Sequence, residues 1–132
     1  MKDIIKKYLK NYSKYITFGI LILIIDIAWL SLYMVKKYKT LFKNIGIPLK
    51  TNILSAILAY LLLIIAYPLL IEDKSKEVTL KRAAIFGALS YGIYGFTVAA
   101  ILPKYNIDFA ITETLWGATL YFLATKLLLE IY

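Results

Sequence analysis

Two acidic residues stand inside long apolar stretches of this 132-residue chain, each followed at the third position by a tryptophan. Asp26 precedes Trp29, and Glu113 precedes Trp116. A spacing of three residues places the acid and the indole on the same face of a helix. A carboxylate near the middle of a membrane helix costs roughly 2.5 kcal/mol or more, so each acid should face protein or water and be paired or protonated. Acids held in this way are typical of sites that bind or move a proton or a cation.

The same residues also allow a structural interpretation. A protonated Asp26 could hydrogen-bond a neighbouring helix and serve only helix packing. Glu113 lies about one turn inside its predicted helix, where a carboxylate interacts favourably with the helix N-terminus. Tyrosines near the middle of two other predicted helices also need hydrogen-bond partners. The candidate transport or polar pocket consists of Asp26, Glu113, Trp29, Trp116, Tyr91, Tyr94 and Tyr60.

The composition excludes several other chemistries. The chain contains no Cys and no His, which removes disulfides, thiol nucleophiles, imidazole bases and the usual zinc or haem ligands. The sequence also contains no glycine-rich phosphate loop, nucleophile elbow or potassium-channel filter. We therefore expect no catalytic residues, no metal and no cofactor, and we do not expect an enzyme.

Four apolar runs supply the elements that would position the two acids. The chain is 61% hydrophobic, whereas ordinary soluble domains are about half apolar. Each run is close to the ~20 residues that cross a ~30 Å hydrocarbon core, and in lipid each must be helical so that its backbone groups are paired. The sequence predicts one all-α domain over residues 1–132, an integral membrane four-helix bundle. Its predicted spans are residues 16–35, 53–71, 83–102 and 109–131.

Basic residues flank these runs and give the chain a net charge of +8. Residues 1–15 have apolar side chains at helical spacing with lysines mostly on the other side, which predicts an N-terminal amphipathic interfacial helix. Lysines beside apolar spans face lipid headgroups, so we expect anionic lipids as partners and not nucleic acid. The lysines of this segment are Lys2, Lys6, Lys7, Lys10 and Lys14.

The distribution of positive charge predicts the orientation in the membrane. Ten of the 16 Lys and Arg residues lie on the side of the predicted bundle that holds both termini, and six lie on the other side. Because positively charged residues accumulate on the cytoplasmic side, both termini should be cytoplasmic.

Small residues recur along the third predicted span at spacings of three and four, a pattern that allows close approach of two helices. Their expected role is helix packing. They are Ala84, Ala88, Gly92, Gly95 and Ala99, with Gly117 on the fourth span.

The predicted topology also fixes the depths of the two acids. At 1.5 Å per residue, Asp26 lies about 13 Å below the outer end of the first span, and Glu113 lies about 6 Å below the same surface. A difference of about 7 Å is too large for direct contact but allows a bridging water or tyrosine hydroxyl. We therefore predict one shared polar pocket in the outer half of the bundle, with Trp29 and Trp116 beside the acids.

Three short motifs, one each on the first, third and fourth spans, make the chain resemble domain-of-unknown-function family 2177, a group of small four-helix predicted membrane proteins. The motifs are Asp26-x-x-Trp29-Leu30, Tyr91-x-x-Tyr94 with Thr97, and Glu113-x-x-Trp116-Gly117. Relatives typically have Asp and Asn where this chain has Gly95 and Val98, and Asp in place of Glu113. The resemblance implies the four-span fold but no activity.

Two functional hypotheses follow. The first is a small, oligomeric transport protein or pore that passes protons or small cations along a polar seam through the two acids. The alternative is a structural or assembly protein, for instance of a viral or organelle membrane, in which the buried acids only specify helix packing and nothing is transported.

Overall fold

A computed structural model describes residues 2–46, 52–102 and 105–132, and within these residues the chain forms helices and no strand. The α-helices are α1 (Lys2–Trp29), α2 (Val35–Ile45), α3 (Ile53–Ala66), α4 (Lys76–Ile101) and α5 (Ile107–Ile131). A first π-helical segment, Leu30–Met34, joins α1 to α2, and a second, Tyr67–Ile71, extends α3. Four helical stretches in the described residues are long and apolar enough to cross a membrane, so the predicted all-α, four-span architecture is confirmed.

The N-terminal segment continues directly into the first span. Helix α1 begins at Lys2 and runs without interruption past the end of residues 1–15, so a separate interfacial helix is not confirmed. The side chains of Lys2 and Lys6 are exposed, whereas those of Lys7 and Lys10 lie outside the part of the chain that the structure describes.

Helix α2 extends the first span well beyond the end predicted from hydropathy. Its apolar residues recur at helical spacing, so Leu41 is buried while the neighbouring lysines remain at the surface. Gly46 ends the helix with a φ of 81°, a left-handed conformation that glycine adopts without steric cost. Its N–H donates to the carbonyls of Phe42 and Lys43 at 2.9 and 3.2 Å.

Both termini lie at one end of the bundle, here called the termini side, where the Ser13 and Tyr132 hydroxyls are 2.6 Å apart. The opposite end, where α4 is followed by α5, is the hairpin side; Pro103 and Lys104 of that connection lie outside the described residues. Helices α4 and α5 approach each other so closely that a Cβ on Gly87 would overlap the backbone of Gly117.

A core of aromatic and aliphatic side chains fills the termini-side half of the bundle. The ring centroid of Phe18 lies 4.5 Å from that of Tyr67 and 5.9 Å from that of Tyr121. Ile22, Ile71, Ala83, Leu120, Ala124 and Leu128 complete this buried cluster. Apolar residues on the outside remain accessible, as expected of a surface that faces lipid; Leu32, for example, is 84% exposed.

A hydrogen bond close to Pro68 joins α3 to α5. Proline has no N–H, so it removes one backbone donor from the second π segment. The Tyr67 N–H donates to the Ile64 carbonyl, and the Leu63 carbonyl accepts a hydrogen bond from the Tyr121 hydroxyl at 2.7 Å. A carbonyl left without a backbone donor in a membrane helix needs such a partner.

Candidate functional site

Asp26 is held between three of the four spans. Its side chain comes from α1 and is 5% exposed. The Tyr60 hydroxyl of α3 donates to Oδ2 at 2.5 Å, and the Trp116 indole Nε1 of α5 donates to Oδ1 at 2.9 Å. Both carboxyl oxygens therefore accept a hydrogen bond from another helix, which satisfies the acid inside the bundle.

Glu113 has a different partner. The side chain is 6% exposed, and its Oε1 accepts a hydrogen bond from the Tyr38 hydroxyl of α2 at 2.8 Å. Hydropathy placed Tyr38 at the membrane boundary, so the sequence did not identify it as a site residue. The signal that could have revealed it is Gly46, because a glycine after lysines and apolar residues at helical spacing marks the end of a helix.

Two indole rings stack beside Asp26. The rings of Trp29 and Trp116 have centroids 4.4 Å apart and an interplanar angle of 9°. Trp116 also donates its N–H to Asp26, whereas the Trp29 Nε1 is buried and has no hydrogen-bond partner in the described part of the chain. The stack thus connects α1 to α5 at the level of the site.

The tyrosines of α4 occupy different environments. Tyr91 packs against Gly117 and lies within electrostatic range of both carboxyls, Asp26 and Glu113. Tyr91 is therefore affected by the charge of either acid. Tyr94 lies within electrostatic range of Glu113, but 54% of its side chain is exposed on the outside of the bundle.

A cleft opens on the hairpin side next to this cluster and has a volume of about 450 Å³. The Phe109 ring lines the cleft and contacts the rings of Tyr38 and Tyr105, with centroids 6.0 and 5.0 Å away. Burial raises the pKa of the Tyr105 hydroxyl above its ordinary value, so this residue is neutral at physiological pH. The lining of the cleft includes Lys36, Lys37, Thr40, Asn106, Asp108 and Phe109.

The small residues of α4 face α5 to different degrees. Gly92 lies against Thr114, and Gly95 lies against Ala110 so closely that a Cβ there would crowd the backbone. Ala84, Ala88 and Ala99 are half-buried, and Gly117 is buried. Gly87, which the small-residue pattern omitted, makes the closest approach through its contact with Gly117.

The described residues contain no group of three or more Asp, Glu, His or Cys side chains able to hold a metal ion. The polar cluster is instead made of two carboxyls that accept hydrogen bonds from Tyr38, Tyr60 and Trp116, on the first, second and fourth spans. This fold and site define a four-span helical membrane protein with buried acids. Residues 11–128 match the family described as predicted membrane protein (DUF2177), and the chain belongs to that family. No curated protein and no solved structure matches it significantly.

Proposed function

We propose that this protein moves protons across the membrane through Asp26 and Glu113. The observation that carries the proposal is the pair of buried carboxyls on α1 and α5, each hydrogen-bonded by a side chain from another helix. Acidic residues inside the membrane are rare because burying them there costs free energy, and proton relay is one of the functions for which they occur. Tyr91 lies within electrostatic range of both acids, and we assign its hydroxyl the transfer of a proton from one to the other.

The hairpin-side cleft supplies access to this pair. Phe109 lines the cleft and its ring contacts that of Tyr38, whose hydroxyl donates to Glu113. Lys36, Lys37 and Asp108 line the cleft, and their charges act on protons and metal cations alike. A proton can travel along hydrogen-bonded water and hydroxyl groups, a path that a metal ion cannot follow, so this path favours protons over sodium or potassium.

Proton flux into proteoliposomes tests the proposal. The variants Asp26→Asn and Glu113→Gln keep the shape of each side chain but cannot exchange a proton, so each should lower the flux by about 10²-fold. Thr119→Val, on the exposed face of α5, is the control and should retain wild-type flux. Wild-type flux in both acid variants, or no flux above that of empty liposomes for the wild-type protein, would contradict the proposal.

The second candidate is a structural or assembly protein without transport. The observation that favours it is that both carboxyl oxygens of Asp26 accept hydrogen bonds from neighbouring helices. These bonds join α1 to α3 and α5, as expected of a residue whose role is helix packing. In that case Asp26→Asn would lower the resistance to unfolding in detergent, and the wild-type protein would show no proton flux. The exposed Lys2 and Lys6 would then serve mainly to hold the termini side against anionic lipid.

A further inference from the structure

Two hydroxyl groups in the termini-side core have no hydrogen-bond partner among the described residues. The side chains of Tyr67 and Thr125 are both 0% exposed, and neither hydroxyl donates or accepts a hydrogen bond there. A buried hydroxyl without a partner destabilises a fold, so each such group needs an explanation.

Thr125 differs in this respect from the other threonines of α5. Thr112, Thr114 and Thr119 each donate to the carbonyl four residues earlier, at 2.8 Å, as threonine commonly does in membrane helices. Thr125 makes no such bond, although the same carbonyl position exists one turn before it. Its hydroxyl is therefore free to bind a group in the core.

Tyr67 and Thr125 occupy corresponding positions along α3 and α5. Helices α3 and α5 both run from the hairpin side towards the termini side, and they are joined where Tyr121 donates to the Leu63 carbonyl. Tyr67 and Thr125 each follow that junction by four residues, about one helical turn. The Tyr121 hydroxyl in turn lies within electrostatic range of Asp26. Along the helices, Tyr67 and Thr125 therefore carry the next polar groups after Asp26 and Tyr121 in the direction of the termini side.

A polar cluster continues beyond Tyr67 to the surface. The Tyr67 hydroxyl lies within electrostatic range of Tyr15 and Glu72. Tyr15 donates to Glu72 at 2.8 Å, and Glu72 also pairs with Lys14 at 2.9 Å. Lys14 and Glu72 line an open cleft of about 430 Å³ on the termini side.

We propose that Tyr67 and Thr125 form the termini-side half of the proton route, binding internal water that connects Asp26 and Tyr121 to Tyr15 and Glu72. In each transfer a hydroxyl or water oxygen accepts one proton and releases another, so no group changes its charge after a complete passage. The proton leaves the protein at the cleft lined by Lys14 and Glu72, where bulk water accepts it. This inference rests on the proposed proton transport and names the second half of its path.

Removal of single hydroxyl groups tests the inference in the full-length protein. Tyr67→Phe and Thr125→Val keep the size of the side chain, and each should lower proton flux in proteoliposomes by about tenfold. Tyr12→Phe and Thr119→Val remove the same groups from exposed positions and should retain wild-type flux. If both core variants retain wild-type flux while Asp26→Asn abolishes it, the inference is wrong and the proposed function stands.

The unfolding midpoint in detergent gives a second readout that needs no transport. A hydroxyl that binds internal water loses those hydrogen bonds when it is removed, so neither Tyr67→Phe nor Thr125→Val should raise the midpoint. A hydroxyl that is truly unpartnered costs stability, and its removal would raise the midpoint. A raised midpoint in both variants would therefore overturn the inference even if the protein transports protons, whereas absence of flux in the wild-type protein would overturn it together with the proposed function.

Discussion

At the scale of single residues, the site depends on which donor reaches which carboxyl oxygen. Asp26 receives an N–H from Trp116 and an O–H from Tyr60, whereas Glu113 receives the O–H of Tyr38. Hydrogen bonds between membrane helices stabilise a fold by about 0.6 kcal/mol on average, with individual values up to about 2 kcal/mol. These contacts therefore position the acids more than they hold the bundle together.

The two stacked tryptophans offer a direct test of this hydrogen bonding. Both Trp116→Phe and Trp29→Phe weaken the stack, but only the first removes a donor from Asp26. Trp116→Phe should therefore lower the free energy of unfolding by about 1 kcal/mol more than Trp29→Phe does. Reversible unfolding in mixed detergent micelles measures the difference, and each variant is the control for the other. An equal loss in the two variants would show that the Asp26–Trp116 bond contributes nothing to stability.

The residues of the site were only partly predictable from the sequence. Asp26, Glu113 and the tryptophans are conspicuous because their residue types are costly or unusual in an apolar run. The pairing of each acid was not predictable, since it depends on rotation of one helix against another. Tyr38 was missed because hydropathy averages over a window and ended the first span before it.

At the scale of helices, the first span determines how far the site extends towards the hairpin side. Helices α1 and α2 are joined by the first π segment, so Asp26 and the partner of Glu113 belong to one continuous helical stretch. Because a π turn holds one residue more than an α turn, it shifts the faces of the helix that follows it. A periodicity of 3.6 residues read from Asp26 therefore cannot predict that Tyr38 points towards α5.

The contact between α4 and α5 gives a test at this scale. A Cβ on Gly87 or Gly117 would overlap the backbone of the facing helix, which cannot move aside as a side chain can. Gly87→Ala and Gly117→Ala should each lower the free energy of unfolding by roughly 1–3 kcal/mol. Gly19→Ala is the control, because its Cβ would meet only the flexible end of the Ile64 side chain. A loss no larger than that of Gly19→Ala would contradict the close packing of the two helices.

At the scale of the whole molecule, the two halves of the bundle differ in character. Hydropathy predicted the four spans because lipid demands long helices whatever their side chains do. The positions of Asp26 and Glu113 along their spans predicted that both acids lie in the outer, hairpin-side half. Hydropathy could not predict the aromatic and aliphatic core of the termini-side half, since both halves have apolar sequences. The asymmetry means that orientation decides which compartment has access to Glu113.

Orientation can be measured with single cysteines, because the natural chain contains none. Ten Lys and Arg residues on the termini side against six on the hairpin side predict cytoplasmic termini. A cysteine at the exposed Glu77 position (Glu77→Cys) should therefore resist a membrane-impermeant maleimide in intact cells, whereas one at the exposed Asn106 position (Asn106→Cys) should react. Neither substitution removes a lysine, and both cysteines should react after permeabilisation. Labelling of Glu77→Cys alone in intact cells would show the opposite orientation. The hairpin-side cleft would then open to the cytoplasm.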